Sequence, residues 1–146
     1  MFRGNHPARV DEKGRLKLPA EFKRRIDEQY GTQFYITSKD GKAAEIHPLQ
    51  EWEKFEQKMA AIPNFNPAKK KLLDRLNYYG QMAEMDQQGR VLLPQILRES
   101  AKVTGDVVVF GMQTYLEVAN HEAFRKNMDE NPLTPEDEQA LAAFGL

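Results

Sequence analysis

The chain has 146 residues, enough for one well-packed domain or two small ones, and its 40% apolar and 29% charged residues are those of an ordinary soluble globular protein. It has no cysteine, which excludes a disulfide framework and any thiolate metal site, and no apolar run approaches a membrane span. Residues 1–6 lack the apolar centre of a secretory signal, so a cytoplasmic protein is expected.

In chain order, Ala8-Arg9-Val10-Asp11-Glu12-Lys13-Gly14-Arg15-Leu16-Lys17-Leu18-Pro19 reads as strand, tight turn, strand. Asp accepts hydrogen bonds from backbone N–H groups just downstream, and Gly supplies the positive φ that such a turn needs. Pro19 ends the second strand and suits the first position of a helix carrying Phe22 and Lys23. Residues 33–38 and 43–47, rich in β-branched and aromatic side chains, predict paired strands. Leu49, Trp52, Phe55, Met59 and Ile62 recur at spacings of three and four, a helix with one apolar face, ended by Pro63. Asn66-Pro67 opens a second helix with Leu72, Leu73, Leu76 and Tyr79 on its buried side and Lys69-Lys70-Lys71 outside, closed by Gly80.

The opening pattern then returns without a gap as Ala83-Glu84-Met85-Asp86-Gln87-Gln88-Gly89-Arg90-Val91-Leu92-Leu93-Pro94, followed by Leu97-Arg98. A weaker echo aligns residues 31–37 with 105–111 and Glu45-Ile46 with Glu117-Val118, and helical stretches bearing Trp52 and Phe124 follow. Residues 106–111 and 114–119 are expected strands. Thr134-Pro135-Glu136-Asp137 is a sound helix start in a tail that could equally be disordered. Each module is too small to hold a core alone, so the two are expected to interlock. The organisation is module 1 over residues 1–47, connecting helices over 48–79, module 2 over 80–124, and an acidic tail over 125–146.

Net charge is −1, but its distribution is uneven. Residues 1–25 hold Arg3, Arg9, Lys13, Arg15, Lys17, Lys23, Arg24 and Arg25 against Asp11, Glu12 and Glu21, whereas the chain beyond residue 128 has five acids and no base. Such asymmetry points to a polyanion partner at the N-terminal end. Comparing the two copies separates framework from surface. Arg9 becomes Glu84, Lys13 becomes Gln88, Lys17 becomes Leu92, Arg24 becomes Glu99 and Arg25 becomes Ser100, while Arg15 and Lys23 keep their charge as Arg90 and Arg98. Arg15 and Lys17 lie two apart on a strand and project together, opposite Leu16 and Leu18. A basic two-stranded ribbon fits the major groove of B-DNA, with Lys and Arg reaching phosphate oxygens and Arg able to fork onto guanine.

The candidate DNA-binding residues are therefore Arg15, Lys13, Arg9, Lys17, Lys23, Arg24 and Arg3. Asp11 and Gly14, with Asp86, Gly89 and Arg90, read as structural turns and ion pairs; Asp11 could instead orient Arg15 towards DNA. Arg24-Arg25 could be a solvated helix face, and Lys69-Lys70-Lys71 reads as one. The isolated His6, His47 and His121 match no metal spacing, no nucleotide loop is present, and neither Ser38 nor Ser100 sits in a nucleophile elbow. No enzyme activity, cofactor, metal or small-molecule substrate is expected.

Met1-Phe2-x-Gly4, Asp11-x-Lys13-Gly14-Arg15 with Pro19 and Phe22-Lys23, Pro48-Leu49-x-Glu51-Trp52-Glu53, and the second Asp86-x-x-Gly89-Arg90 with Pro94 and Leu97-Arg98 together resemble the MraZ family of bacterial transcriptional regulators. The resemblance runs from Met1 to about Phe124. It implies an α+β fold of tandem SpoVT-AbrB modules (swapped-hairpin, double-psi β-barrel-like) with flanking helices. It further implies a nucleoid-associated regulator of the division and cell-wall gene cluster. Such a regulator binds double-stranded DNA at short G-rich repeats in its own promoter as a ring of identical subunits. Arg15 would be the foremost DNA contact, with Arg9, Lys23 and Arg24 at positions that AbrB-type modules keep basic; the second turn departs from the pattern by lacking the lysine. The alternative is an AbrB-type antitoxin or protein-interaction module whose apolar stripe binds a protein partner.

Overall fold

In the computed structural model, which describes residues Met1–Leu146, each Asp-x-x-Gly tetrad turns the chain between two short strands. The first module comprises β1 (Asn5–Val10), β2 (Arg15–Lys17), α1 (Ala20–Gln29), β3 (Gln33–Thr37) and β4 (Ala44–Pro48). The connection is α2 (Leu49–Ala60) and α3 (Pro67–Tyr78). The second module repeats the order as β5 (Gln81–Glu84), β6 (Arg90–Leu92), α4 (Gln95–Ser100), β7 (Gly105–Gly111) and β8 (Leu116–Ala119), followed by α5 (His121–Glu130) and α6 (Pro135–Ala142). No helix is long and apolar enough to cross a membrane.

The strands form one eight-stranded antiparallel sheet in the order β5-β3-β4-β8-β7-β1-β2-β6, a nearly closed barrel with helices around it. The two modules exchange strands. β1 pairs with β7 of the second module from Asn5↔Phe110 to Val10↔Gly105, and β5 pairs with β3 of the first from Gln33↔Glu84 to Ile36↔Gln81. Two further pairings join the modules at equivalent positions: β2 meets β6 with Leu16 opposite Val91, and β4 meets β8 with Glu45 opposite Glu117. Since the repeat equates Leu16 with Val91 and Glu45 with Glu117, a local two-fold axis passes through both pairs. The modules interlock as the repeat leads one to expect, in the tandem swapped-hairpin architecture that the family resemblance implies. β5 and β6 are the free edges, and there the Asp86 N–H reaches the Arg90 carbonyl at 2.9 Å.

Strand pairing corrects one detail of the repeat. Gln33 faces Glu84 while Asp106 faces Arg9, so the equivalent of Gln33 is Asp106, one residue away from the alignment read in the sequence. Side chains alternate faces along a strand, so a one-residue slip would turn every side chain over. The observed register instead turns Phe34 and Ile36 inward with Val107 and Val109, all buried.

Leu16, Val91, Ile46, Leu116 and Val118 fill the barrel, and Phe22 and Ile26 of α1 and Leu97 of α4 cap it within one cluster of 20 buried residues. Pro19 and Pro94 serve as the caps preceding α1 and α4 rather than as their first residues. α3 starts where Asn66 accepts hydrogen bonds from the Ala68 and Lys69 amides. Lys69 departs from the expected solvated run: it is buried, its ammonium donating to the Ile62 carbonyl (2.8 Å) and Asn64 Oδ1 (3.0 Å). The tail is helical at α6, where Thr134 and Asp137 form a reciprocal capping box.

Outside the barrel, Trp52 of α2 stacks on Tyr35 at 4.7 Å, and Phe124 of α5 stacks on Phe110 at 4.3 Å. Between these aromatic caps lie the facing glutamates. Glu45 is buried beside His47 Nε2 (2.9 Å) and Lys39 Nζ (3.7 Å). Glu117 enters no ion pair, and burial, then the nearby Glu45 charge, push its carboxyl above the ordinary glutamate range.

Two expectations follow. Leu16→Ala is expected to cost about 2–5 kcal/mol, and because the sheet mixes both modules, unfolding should remain one transition reported equally by probes in either half. Glu117→Gln is expected to stabilise the protein at neutral pH in thermal melts. A raised carboxyl pKa penalises the ionised native state only above the unfolded value, so the gain should fade as the pH drops below the ordinary glutamate range.

Candidate nucleic-acid interface

The two Asp-x-x-Gly-Arg turns have the same hydrogen bonds. In the first, Asp11 Oδ1 accepts the backbone N–H groups of Lys13 (3.0 Å) and Arg15 (2.9 Å), while Oδ2 accepts Arg15 Nε (2.9 Å). In the second, Asp86 Oδ1 accepts from the amides of Gln88 and Arg90 and Oδ2 from Arg90 Nε, each at 2.9 Å. Gly14 and Gly89 carry φ of +85° and +76°, which a side chain would strain. The arginine is thus held by Nε and by its own amide, leaving the two terminal nitrogens of the guanidinium clear of Asp. The backbone N–H of Arg15 is the foremost influence holding the Asp11 carboxyl below the ordinary aspartate range, with its guanidinium adding to the effect against some desolvation.

Each turn is fastened to the other module. The Leu93 amide donates to the Gly14 carbonyl and the Leu18 amide to the Gly89 carbonyl, both at 2.9 Å. The helices cross over in the same way. The guanidinium of Arg98, from α4, lies directly on Gly14, where any Cβ would overlap it, and the Lys23 chain, from α1, lies on Gly89 with its Cε 2.9 Å from where a Cβ would stand.

This exchange sorts the residues expected at the interface. Lys13 and Arg15 lie on the first turn, Lys13 exposed and Arg15 partly so. Lys17 is exposed on β2 and paired with Arg90 across the two-fold axis, while Arg15 faces Leu92. Lys23 belongs to the second turn, not the first, and its ammonium is held by Asp27 at 2.7 Å. Arg9 pairs with the exposed Asp106 at 3.0 Å, and Arg24 with Glu21 at 3.0 Å; both pairs are largely solvated and worth little in stability. Arg3 precedes β1, about 20 Å of extended strand from the turn. Arg25, basic only in the first copy, lies along a crevice with Met1, Glu51 and Lys54 instead.

In the repeat Arg98 looks like framework, because both copies are basic there. The strand exchange that carries it to the other turn is not local in sequence. Arg90 likewise comes beside Lys17 only through the pairing of β2 with β6.

The second module presents a different face at the positions equivalent to the basic ones. Leu92, in the place of Lys17, is exposed, as are Met82 and Ile96 near it, and with Tyr78 they border a groove of about 600 Å³. His47 is stacked on Tyr115 and tilted against Trp52, His6 packs edge-on to Phe22, and no cluster of three His, Asp or Glu side chains suits a metal.

Comparison with known proteins bears on the whole chain. A family model described as "MraZ protein, putative antitoxin-like" matches residues 1–75 and 80–144, one match for each half. The chain is 84% identical over 146 residues to a protein of Acidobacterium capsulatum named "Transcriptional regulator MraZ", covering all of both chains. It is 52% identical over 147 residues to the protein of that name from Koribacter versatilis, again covering all of both. To the one from Moorella thermoacetica it is 35% identical over 143 residues, covering 97% of this chain and 94% of that protein.

The Asp11 geometry has a consequence that an NMR carboxyl titration can check. A depressed pKa means that the turn's contribution to stability is complete above the ordinary aspartate range and is lost only as the pH falls through the lowered value. Arg15→Ala is expected to raise the Asp11 midpoint only part of the way, since the amide N–H remains. A full return to the ordinary aspartate value would make the guanidinium the dominant cause instead.

Proposed function

The chain belongs to the MraZ family, and from that premise we propose that it is a sequence-specific DNA-binding transcriptional regulator whose contact surface centres on the turn between β1 and β2. What carries this reading is the difference between two superposable turns. The same backbone displays Lys13 and Lys17 in one copy and Gln88 and Leu92 in the other, so the charge serves a surface rather than the fold. Arg15, prealigned by Asp11, offers its outer guanidinium nitrogens to a phosphate or a guanine edge. Lys13 and Lys17 flank it as phosphate contacts, and Arg9 on β1 and Arg24 on α1, both exposed, exchange their weak surface acid partners for DNA.

The finer reading rests on the family resemblance. The operator is a set of short G-rich repeats in the protein's own promoter, within the division and cell-wall gene cluster, and the protein works as a cytoplasmic, nucleoid-associated ring of identical subunits. A ring suits a subunit of net charge −1. Several weak contacts on successive repeats raise the effective local concentration, so avidity can exceed single-site affinity by roughly a hundredfold or more. In this division of labour the first module reads DNA, and the second completes the core and meets a neighbour. The apolar groove beside Tyr78 and Leu92 favours one other reading, a protein-interaction module of the antitoxin kind.

A salt titration on promoter DNA separates the two. DNA recognition is expected to give a steep fall of log K with log salt, with slope about −0.9 for each phosphate neutralised, whereas a flat response favours the protein partner. Arg15→Ala is expected to abolish operator binding while folding and assembly persist. Glu84→Ala should leave DNA affinity nearly unchanged. Retention of near wild-type affinity by Arg15→Ala in physiological salt would show that the contact is elsewhere.

A further inference from the structure

The crossing of the helices gives the first turn a cation that its own module does not encode. Arg98 is a second-module residue, yet its guanidinium rests on Gly14, between Lys13 and Arg15 in the chain. It is half-buried and oriented by a single hydrogen bond, from Nε to the Leu93 carbonyl at 3.0 Å. Leu93 is in turn tied to the Gly14 carbonyl by its amide at 2.9 Å, so the guanidinium is fixed relative to the turn through two bonds. Its terminal nitrogens have no protein acceptor. Arg98 enters no ion pair: Glu99, the one carboxylate of α4, accepts from Gln95 Nε2 at 3.1 Å instead.

The symmetric position is different. Lys23 lies on Gly89 through its aliphatic carbons, and its ammonium is turned to Asp27 at 2.7 Å. The backbone arrangement is therefore duplicated, but the available charge is not. One turn has Lys13, Arg15 and an uncommitted Arg98, whereas the other has Gln88, Arg90 and a lysine already paired.

We propose that Arg98 and Arg15 together form a phosphate-binding site over the first turn, so that the DNA contact assigned above to module 1 is completed by module 2. The ligand is a backbone phosphodiester of duplex DNA. Two guanidinium groups, each fixed by Nε and free at the other nitrogens, can hold such an oxyanion in a charge-assisted, bidentate manner. The rigid seat lowers the entropy lost when the phosphate arrives. A phosphate contact carries no base information, so Arg98 sets register and affinity while sequence is read elsewhere on the surface. This inference rests on the DNA-binding reading, and the test below tells the two apart.

The measurement is binding of full-length protein to a fragment of its own promoter, and to an unrelated duplex of equal length, between roughly 50 and 200 mM salt. Wild type is compared with Arg98→Gln, Arg98→Lys and Lys23→Gln, with thermal melts confirming that each is folded. Arg98→Gln is expected to weaken both duplexes by about tenfold at low salt and to reduce the salt slope by about 0.9, one phosphate's worth. Arg98→Lys should recover the slope, because it keeps the charge. Lys23→Gln should leave the slope almost unaltered. If Arg98 only props the turn, Arg98→Lys fails as badly as Arg98→Gln, since both lose the bond to Leu93, and the proposal is overturned. It is equally overturned if Arg98→Gln binds with the wild-type slope. A flat wild-type salt response would overturn the DNA reading itself, and this inference with it.

Discussion

A four-stranded half of this protein has nowhere to put its first hairpin except against the other half. β1 finds its long partner in β7 and β5 finds its own in β3, so neither module possesses a complete sheet until both are folded. Leu16 and Val91 meet at the centre of that exchange, fully buried and opposite each other. Burial of such side chains contributes about 1.5–3 kcal/mol each, and the whole apolar cluster is shared, so the loss of either module would expose the other's core. The exchange also brings the two turns to one end of the barrel, each turn glycine hydrogen-bonded to the opposite module. Everything at the candidate interface depends on that closure.

A duplicated fold with an internal two-fold axis would ordinarily present the same surface twice. Here the axis relates unlike surfaces: Lys17 to Leu92, Arg9 to Glu84, and the solvated Glu21 to the exposed Ile96. The backbone hydrogen bonds that make the turns are identical in the two copies and so fix geometry without fixing function. Chemistry is then laid on the common frame, basic on one side and apolar on the other. Arg90 and Arg98 blur the division, since strand exchange carries them towards the basic side. Charge that sequence comparison assigns to one half is in fact pooled around the axis.

The fold was legible in the sequence wherever the signal was local. The Asp11-to-Gly14 and Asp86-to-Gly89 turns, the apolar stripe from Leu49 as far as Met59 and the Asn66-Pro67 helix start all rest on short-range hydrogen bonding or periodicity, and the structure has them; Ile62, expected to extend the stripe to Pro63, lies beyond the end of α2 at Ala60. The gapless repeat announced an interlocked pair. What escaped was non-local. The register of β3 against β5 displaced the weaker echo by one residue, because pairing with a distant strand, not resemblance, decides which face Phe34 takes. Its lysine neighbours make Lys69 look solvated in the sequence, although the bend at Ile62 and Asn64 folds back to receive its ammonium. Lys23 and Arg98 changed places for the same reason: a helix that follows one turn in sequence packs on the other turn in space.

The central claim is that one surface, assembled from both modules at the end where the turns meet, engages DNA. Hydrogen–deuterium exchange of the full-length protein with and without its promoter fragment measures this directly. The account predicts slowed exchange in peptides spanning both residues 11–18 and residues 89–98, with α2, α3 and α6 unaffected. Protection limited to the α2–α3 region or to the groove beside Tyr78, with both turns unchanged, would contradict it.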